Sequence, residues 1–380
     1  MNALGGLPLS LPAPEPAPGF RFVAPEDLTP AEIAAWRRFH ASDPDLDSPY
    51  LTPDFVRLAA ALRPGVTVAI AERDGQPVAF LPFERRGGVG RPVAGAVNDC
   101  QAVIAAPGWR WDPRALLRAG GLGMLDFTGL RAAQMPLAPF HRAVAPSHIV
   151  DLSRGYAAYV EERRAAASLV AGGMSGLPHH APARAKQAER QLGPLRFTLH
   201  DPDPAMLRRV LAWKSEQYRR SRIPDAFAWP WVVTLLERIQ ATQAPGFAGV
   251  LSTLHAGDRL IAAHMGMRTA TTLHYWFPTY DAQVAKVSPG LLLFAAMCRD
   301  AARHGILRIE LGAGDEPYKL LLANAASPVA QGFVGGLSLP ALLRRSRYGV
   351  ETAAARLPLG PLAAWPGRLF RRLDRIGRYR

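Results

Sequence analysis

Alternation of apolar and polar positions recurs in two distant segments of the chain and predicts a β-hairpin in each. The first hairpin turns at Asp74-Gly75, a pair that favours a tight turn, and the second turns at Gly257-Asp258. An amphipathic helix precedes each hairpin. The helix and the two strands are expected at 53–62, 66–70 and 77–83 in the first segment, and at 229–242, 249–254 and 260–267 in the second. The repeated order predicts a duplicated structural unit.

After the second hairpin the apolar pattern alternates between the periods of strands and helices. The expected order is strand, helix, strand, short helix and strand, at 271–277, 289–304, 307–311, 316–323 and 329–334. Ser288 and Pro289 suit the start of the long helix as N-cap and first-turn residue, and Gly305 suits its end. This alternation predicts an α/β (α+β) fold with two mixed sheets flanked by helices.

The remaining segments are less regular, and they define the expected domain boundaries. The first half offers a helix at 113–119 and strands at 124–128 and 143–152, and the centre of the chain offers two helices within 156–191 that break near 172–178, a strand at 195–200 and a helix at 204–220. A chain of 380 residues exceeds the usual size of one hydrophobic core. We expect a disordered leader at 1–19, an N-terminal half at 20–152, a helical bridge with the C-terminal half at 153–336, and a basic amphipathic tail at 337–380.

The positive charge of the chain is concentrated at its C-terminal end. The formal net charge is +14, and residues 337–380 hold ten arginines and two acidic residues, a net charge of +8. The remaining +6 is ordinary for a body of this size, so we do not expect a nucleic-acid partner. Leucines and aromatic residues alternate with the arginines of the tail, which predicts contact with an anionic membrane, although a solvated tail is the alternative.

Several other classes of protein are disfavoured by the sequence. The proline-rich leader is a poor secretory signal, and the longest apolar helical run, 291–298, is much shorter than the roughly 20 residues that span a bilayer. We therefore expect a cytoplasmic protein, peripheral to the inner membrane if the tail binds lipid. The spacing of the histidines and of Cys100 and Cys298 predicts no metal site. Gly312-x-Gly314 lacks the third glycine of a dinucleotide-binding fingerprint.

A set of short motifs clusters in the second half of the chain. They comprise Leu273-His274-Tyr275-Trp276-Phe277, Tyr280-Asp281, Ser288-Pro289-Gly290-Leu291-Leu292, Gly312-Ala313-Gly314-Asp315 and Tyr318-Lys319. Asn98-Asp99 and a basic helix with Arg184, Lys186 and Arg190 precede them. Together these motifs resemble the CelD-type, Fem-like branch of the GNAT acetyltransferases, most closely from 255 to 331 and more weakly back toward residue 20. The resemblance implies a tandem GNAT-like fold and acyl transfer from acetyl-CoA or another acyl-CoA.

The resemblance also indicates where the donor and the acceptor would bind. Ser288, Pro289, Gly290 and Leu291 would hold the pyrophosphate of the donor at a helix N-terminus, where unpaired N–H groups and the helix dipole favour anions. A well-capped structural helix is the alternative interpretation. The expected catalytic residues are Asp99, His264 and Lys319, drawn together across the cleft between the halves, and the expected substrate-binding residues are Tyr275, Asp315 and Tyr318.

Three functions remain open at this stage. The first is transfer of an acyl group, expected to be acetyl, to an amine or hydroxyl of a small molecule or saccharide, in exopolysaccharide or cellulose biosynthesis. The second is a Fem-like aminoacyl or peptidyl transfer from charged tRNA, and the third is a non-catalytic scaffold for polysaccharide assembly. Taken singly, His264 and Lys319 also have structural interpretations, since a lone strand histidine is commonly buried and hydrogen-bonded.

Overall fold

The computed structural model describes residues 19–168 and 178–356, together with Gly377 and Tyr379. Nearly all of the predicted leader, the predicted break in the helical bridge and most of the tail after Arg356 lie outside the described residues. The strands are β1 (Gly19–Val23), β2 (Val66–Arg73), β3 (Gln76–Arg86), β4 (Val89–Arg91), β5 (Ile104–Ala105), β6 (Met124–Arg131), β7 (His141–Asp151), β8 (Leu195–Thr198), β9 (Gln243–Ala244), β10 (Phe247–Ala256), β11 (Arg259–Arg268), β12 (Thr272–Tyr280), β13 (Arg308–Ala313) and β14 (Ala325–Gly335).

The helices flank the sheet and connect its strands. They are α1 (Pro30–Ser42), α2 (Pro53–Ala60), α3 (Pro113–Gly120), α4 (Gly155–Ser168), α5 (Ala181–Leu192), α6 (Pro204–Arg220), α7 (Pro230–Ala241), α8 (Pro289–Arg303), α9 (Pro317–Leu322) and α10 (Leu339–Arg356). None of the helices in the described part of the chain is long and apolar enough to cross a bilayer.

The predicted α/β fold class is confirmed, but the two expected sheets are joined into one. In the described residues, the strand order is β1-β2-β3-β4-β6-β14-β7-β13-β12-β11-β10-β8, with β5 paired to β3 and β9 to β10. β14 from the C-terminal half pairs with β6 of the N-terminal half, and β7 pairs with β13. Because β14 and β7 also pair with each other, this exchange leaves neither half with an open central edge.

Both halves contribute to one shared hydrophobic core beneath the sheet. Trp36 and Phe80 stack at 5.1 Å between ring centroids in the N-terminal half. The same buried cluster includes Leu235 and Phe247 from the second half, all essentially inaccessible to solvent. Burial of these large side chains stabilises the contact between the halves, since each contributes about 1.5–3 kcal/mol when fully removed from water. The halves are therefore packed as one body.

Two local predictions near α8 had different outcomes. Pro289 begins the helix and Gly305, with φ +79°, follows its end, as predicted. Ser288 does occupy the N-cap position, but its side chain makes no capping hydrogen bond, and that part of the prediction is wrong. The reason is its backbone: φ 57° and ψ 53° are left-handed, whereas a capping residue normally has an extended conformation.

The predicted basic tail begins with an ordered helix. α10 packs against the N-terminal half, where Ala341 is fully buried and the Arg344 guanidinium forms an ion pair with Asp126 at 2.5 Å. The rings of Tyr348 and Phe333 stack with centroids 6.1 Å apart. Leu342 and Leu343 remain exposed. The first part of the predicted tail therefore belongs to the folded body.

Candidate active site

The two parallel strands β12 and β13 separate and open a cavity between them. They pair only from Thr272 to His274 on β12 and from Arg308 to Glu310 on β13. Beyond these positions β12 continues to Tyr280 and β13 to Ala313. The edges that face each other are then no longer hydrogen-bonded to one another, so a ligand can lie between them.

The cavity has a volume of about 650 Å³, which is sufficient for a small molecule. Its walls come from α6, β12, the start of α8, the end of β13, α9 and the loop before Cys100. The polar and aromatic residues that matter for the chemistry are Asp99, Lys214, Tyr275, Glu316, Tyr318 and Lys319. Groups from both halves of the chain therefore meet in one space.

Asp99 is presented to the cavity by a tightly braced loop. The Asn98 side chain donates to the Val93 carbonyl at 2.9 Å and accepts the Cys100 backbone N–H at 2.9 Å. Gly129 lies directly beneath, and a Cβ there would be 2.5 Å from the Asp99 carbonyl oxygen. This close approach requires glycine. The loop is thus held by its own backbone and amide contacts, and the Asp99 carboxylate remains free to face the cavity with its side chain about half exposed.

His274 lies behind Asp99. Its Nε2 atom is 3.3 Å from Asp99 Oδ2, but the geometry is not that of a hydrogen bond. The imidazole ring is almost completely buried. The edge of the Tyr50 ring contacts the imidazole, with centroids 4.9 Å apart. Burial and the nearby Asp99 carboxylate raise the pKa of Tyr50 well above its usual value, so this phenol stays protonated. The His274 imidazole therefore lies beside the Asp99 carboxylate, and this carboxylate can accept a proton from a ligand in the cavity.

Lys319 reaches the same cavity from α9 and is firmly held there. Its Nζ atom donates to the Ala313 carbonyl at 2.8 Å and lies 3.0 Å from Glu316 Oε2. Asp315, which the sequence suggested as a substrate-binding residue, is exposed and is not part of the cavity wall. Its neighbour Glu316 lines the cavity instead, because the chain turns at Gly314, where φ is +137°.

The two predicted tyrosines both line the cavity. Tyr275 is almost fully buried and packs edge-on against Phe294 of α8, with centroids 5.4 Å apart. Tyr318 is partly buried, and burial raises its pKa, with smaller contributions from Glu316 and Asp99. Both hydroxyls therefore remain protonated near neutral pH and can donate a hydrogen bond to a substrate.

His264 does not line the cavity. It is fully buried in β11, its ring stacks on Tyr275 at 4.5 Å, and its Nε2 atom accepts the Trp276 backbone N–H at 3.2 Å. Burial, followed by the neighbouring His274, lowers the pKa of His264 to about 3, so the ring is neutral at ordinary pH. Asp99 and Lys319 thus share one cavity, and His264 supports the wall behind Tyr275.

The start of α8 offers fewer free donors than the sequence suggested. The Ser288 N–H donates to the Ala285 carbonyl at 3.0 Å, the Leu291 N–H donates to the Ser288 carbonyl at 3.0 Å, and proline has no N–H. Of the four residues Ser288 to Leu291, all of which the structure describes, Gly290 is the one whose N–H has no backbone acceptor. Gly290 and Leu291 both line the cavity, so this end of the helix suits a single phosphate oxygen, assisted by the helix dipole.

Lys214 and Tyr379 were not among the residues selected from the sequence. The Lys214 Nζ atom donates to the Pro278 carbonyl at 2.9 Å and lines the cavity. Tyr379 stacks on Trp229 at 6.0 Å between centroids, and its carbonyl accepts hydrogen bonds from Arg63 and from Trp231. A helix-surface lysine carries no distinguishing sequence signal. One weak signal did exist: the chain has only four lysines, and two of them line this cavity.

Comparisons with known proteins agree with the fold. Residues 181–320 match the model of the acetyltransferase (GNAT) domain family, a segment that runs from α5 into α9. The crystal structure of FemX is similar, with a TM-score of 0.54 and 8% identity over 86% of this chain and 99% of that one. A tandem GNAT protein from the clavulanic acid biosynthesis pathway has a TM-score of 0.45 and 13% identity over 84% and 99% of the two chains. No curated protein matches the sequence.

The match of residues 181–320 to the family model confirms the GNAT type of fold that the motifs implied for this segment. The matched segment contains β12, α8 and β13, which are three of the elements that line the cavity. The part of the cavity wall that lies within 181–320 therefore matches a GNAT acetyltransferase domain. At 8% identity the similarity to FemX concerns the fold alone.

Proposed function

We propose that this protein is an acyltransferase that moves an acyl group from acyl-CoA to an amine or hydroxyl. The observation that carries the proposal is the single cavity at the separation of β12 and β13. The start of α8 lies on one of its sides, and Asp99 from the other half of the chain lies on another. One side suits a phosphorylated donor, and the other suits a nucleophile that must lose a proton.

The side chains of the cavity have separate tasks in this proposal. The bound donor supplies an activated thioester, so positioning and proton removal are what the protein must add. Asp99 accepts the proton of the attacking amine or hydroxyl. The adjacent His274 packs behind the Asp99 carboxylate and helps to hold it in position. Tyr318 and Lys319 hold polar groups of the acceptor, and Tyr275 packs against it. Gly290 holds one phosphate oxygen through its free N–H.

For the acceptor we propose a saccharide or a small amine, as the CelD-type resemblance implies, with acetyl as the acyl group. A role in exopolysaccharide or cellulose biosynthesis follows from the same resemblance. Aminoacyl transfer from charged tRNA, and a scaffold without catalysis, are the alternatives. The likeness to FemX does not favour the tRNA alternative, because it extends to the fold only.

Donor binding tests the proposal directly. Thermal unfolding and calorimetry of the full chain with acetyl-CoA should show saturable binding, because a ligand that binds only the folded state raises its stability, by about 2.7 kcal/mol at a hundredfold excess over Kd. Charged tRNA, tested in parallel, should not stabilise the protein. Stabilisation by tRNA and not by acetyl-CoA would favour the Fem-like alternative, and stabilisation by neither would favour the scaffold.

A further inference from the structure

Lys214 differs from the other lysine of the cavity in having no carboxylate partner. Lys319 is paired with Glu316 at 3.0 Å, whereas no carboxylate of the described residues lies within ion-pair distance of the Lys214 Nζ atom. The contacts of that atom are the Pro278 carbonyl at 2.9 Å and the face of the Tyr218 ring, with its centroid at 5.5 Å. The described residues thus offer the three ammonium protons one carbonyl acceptor and one aromatic face.

The position of Lys214 also brings it to the donor side of the cavity. α6 crosses beneath β12, and its Lys214 reaches the strand at Pro278, two residues before Tyr280. Tyr280 is in turn the nearest neighbour of Gly290, whose ideal Cβ would lie 3.7 Å from its ring. Lys214, Tyr280 and Gly290 all line the same cavity. Lys214 therefore shares one cavity with the helix start to which we assign the donor.

The surroundings of Lys214 increase the fraction of its amine that is neutral. Burial has the largest influence on the pKa of Lys214 and lowers it. The Glu316 carboxylate raises this pKa and the Lys319 ammonium lowers it, so that the pKa is about 8. At pH 7.5 an amine with that pKa is unprotonated roughly 200 times more often than an ordinary lysine. The unprotonated amine is the nucleophilic form.

We propose that Lys214 is itself an acylation site, which takes the acyl group from a thioester bound in the cavity. This inference rests on the proposed function. The neutral Nζ atom attacks the thioester carbonyl, the C–N bond forms as the C–S bond breaks, and the amine proton passes to the leaving thiolate. The products are an amide at Lys214 and free CoA. The modified side chain is uncharged and longer, so it reduces the space left for an acceptor.

The small number of lysines makes the test direct. The full chain is incubated with isotopically labelled acetyl-CoA at pH 7.5, and the label on each of the four lysines is quantified by mass spectrometry. We expect Lys214 to carry at least about ten times the label of the exposed Lys186 and Lys286 and of the paired Lys319. Excess free CoA should suppress labelling of Lys214 and leave the exposed lysines unchanged.

Two variants and a parallel measurement separate the outcomes. Lys214→Arg keeps the positive charge and should remove the dominant label, whereas Lys186→Arg should not affect it. Calorimetry with acetyl-CoA is run on the same samples. Donor binding without preferential labelling of Lys214, or labelling that free CoA does not suppress, overturns this inference and leaves the proposed function intact. Absence of donor binding together with indiscriminate labelling overturns both.

Discussion

The Nε2 atom of His264 accepts the backbone N–H of Trp276 at 3.2 Å, across a bulge where β11 and β12 shift register. Gly266 makes room for this contact, since a Cβ there would lie 2.6 Å from the imidazole. The Trp276 N–H would otherwise be a buried donor without a partner, which costs about 1–3 kcal/mol. His264 thus shapes the strand that forms the cavity wall, which is the structural interpretation that its sequence position left open.

Replacing His264 by glutamine should change how stability depends on pH. In the parent the folded-state pKa is about 3, below the unfolded value, so only the unfolded chain takes up this proton as the pH falls from about 6.5 to 3. The free energy of unfolding therefore falls across that window, by up to about 1.4 kcal/mol per pH unit. His264→Gln has no such proton and should show a shallower acid loss in urea unfolding measured from pH 7 to 4.

The variant at neutral pH provides the control for that prediction. Glutamine retains an acceptor oxygen, so His264→Gln should be less destabilised at pH 7 than His264→Leu, which leaves the Trp276 N–H unpaired. Identical pH dependence in the parent and His264→Gln would mean that the imidazole is protonated in the folded state and that its neutral, accepting role is mistaken.

The buried ion pair between Arg131 and Glu310 should contribute strongly to the stability of the contact between the two halves. Arg131 on β6 and Glu310 on β13 are both almost fully buried, and Ser48 Oγ donates to the second carboxylate oxygen at 3.5 Å. Arg131→Met leaves the carboxylate without its partner and should cost about 3–5 kcal/mol. Chemical denaturation of the variant measures this loss.

The double variant Arg131→Met with Glu310→Leu tests the reason for that loss. Removing both charges avoids an uncompensated buried ion, so the double variant should be clearly more stable than Arg131→Met alone. If the two variants were equally destabilised, lost packing and not the isolated carboxylate would explain the effect.

Local patterns predicted individual elements of the fold well. The Asp-Gly turn, the helix from Pro289 and the glycine that follows that helix are each decided by residues within a few positions of one another, and the structure has all three. α1 was not predicted, although Thr29 and Glu32 form a capping box that is visible in the sequence. The start of α1 is therefore encoded locally by these two residues.

Long-range relationships were not predictable in the same way. The exchange of β7 and β14 depends on which distant edges are open, and no local alternation encodes it. Lys214 has the sequence appearance of a solvated helix lysine, and only the crossing of α6 beneath β12 brings it to the cavity. The choice between Asp315 and Glu316 depends on the backbone at Gly314, which adjacent acidic residues cannot indicate.

Gly290→Glu should abolish donor binding and preserve the fold. The new carboxylate would project into the cavity where we place a phosphate, and we expect affinity for acetyl-CoA to fall at least about a hundredfold, or roughly 2.7 kcal/mol. Gly290→Ala should be mild, because its Cβ makes ordinary contact with Tyr280 at 3.7 Å. Calorimetry measures the affinity, and circular dichroism verifies the fold.

Two further variants serve as controls for the donor site. Gly246→Glu adds the same charge at an exposed glycine outside the cavity and should bind acetyl-CoA like the parent. Ser288→Ala should leave stability nearly unchanged, because the serine side chain makes no capping bond. If the folded Gly290→Glu variant bound the donor as tightly as Gly246→Glu, the donor would have to bind elsewhere.

The tail beyond α10 should bind anionic membranes. Residues 357–380 contain six arginines and one aspartate, and each basic residue near an anionic surface contributes about 1 kcal/mol. We expect truncation after Arg356 to reduce sedimentation with anionic vesicles at least about tenfold, and added salt to reduce binding of the full chain through screening. This truncation keeps α10, whose buried Ala341 and ion pair to Asp126 stabilise the body.

A full-length variant with Arg368, Arg371, Arg372 and Arg375 changed to glutamine retains Tyr379 and its contacts with Trp229 and Trp231. It therefore separates the effect of charge from the loss of the Tyr379 contacts. Equal vesicle binding by the parent, the truncation and this variant would assign any membrane contact to the folded body.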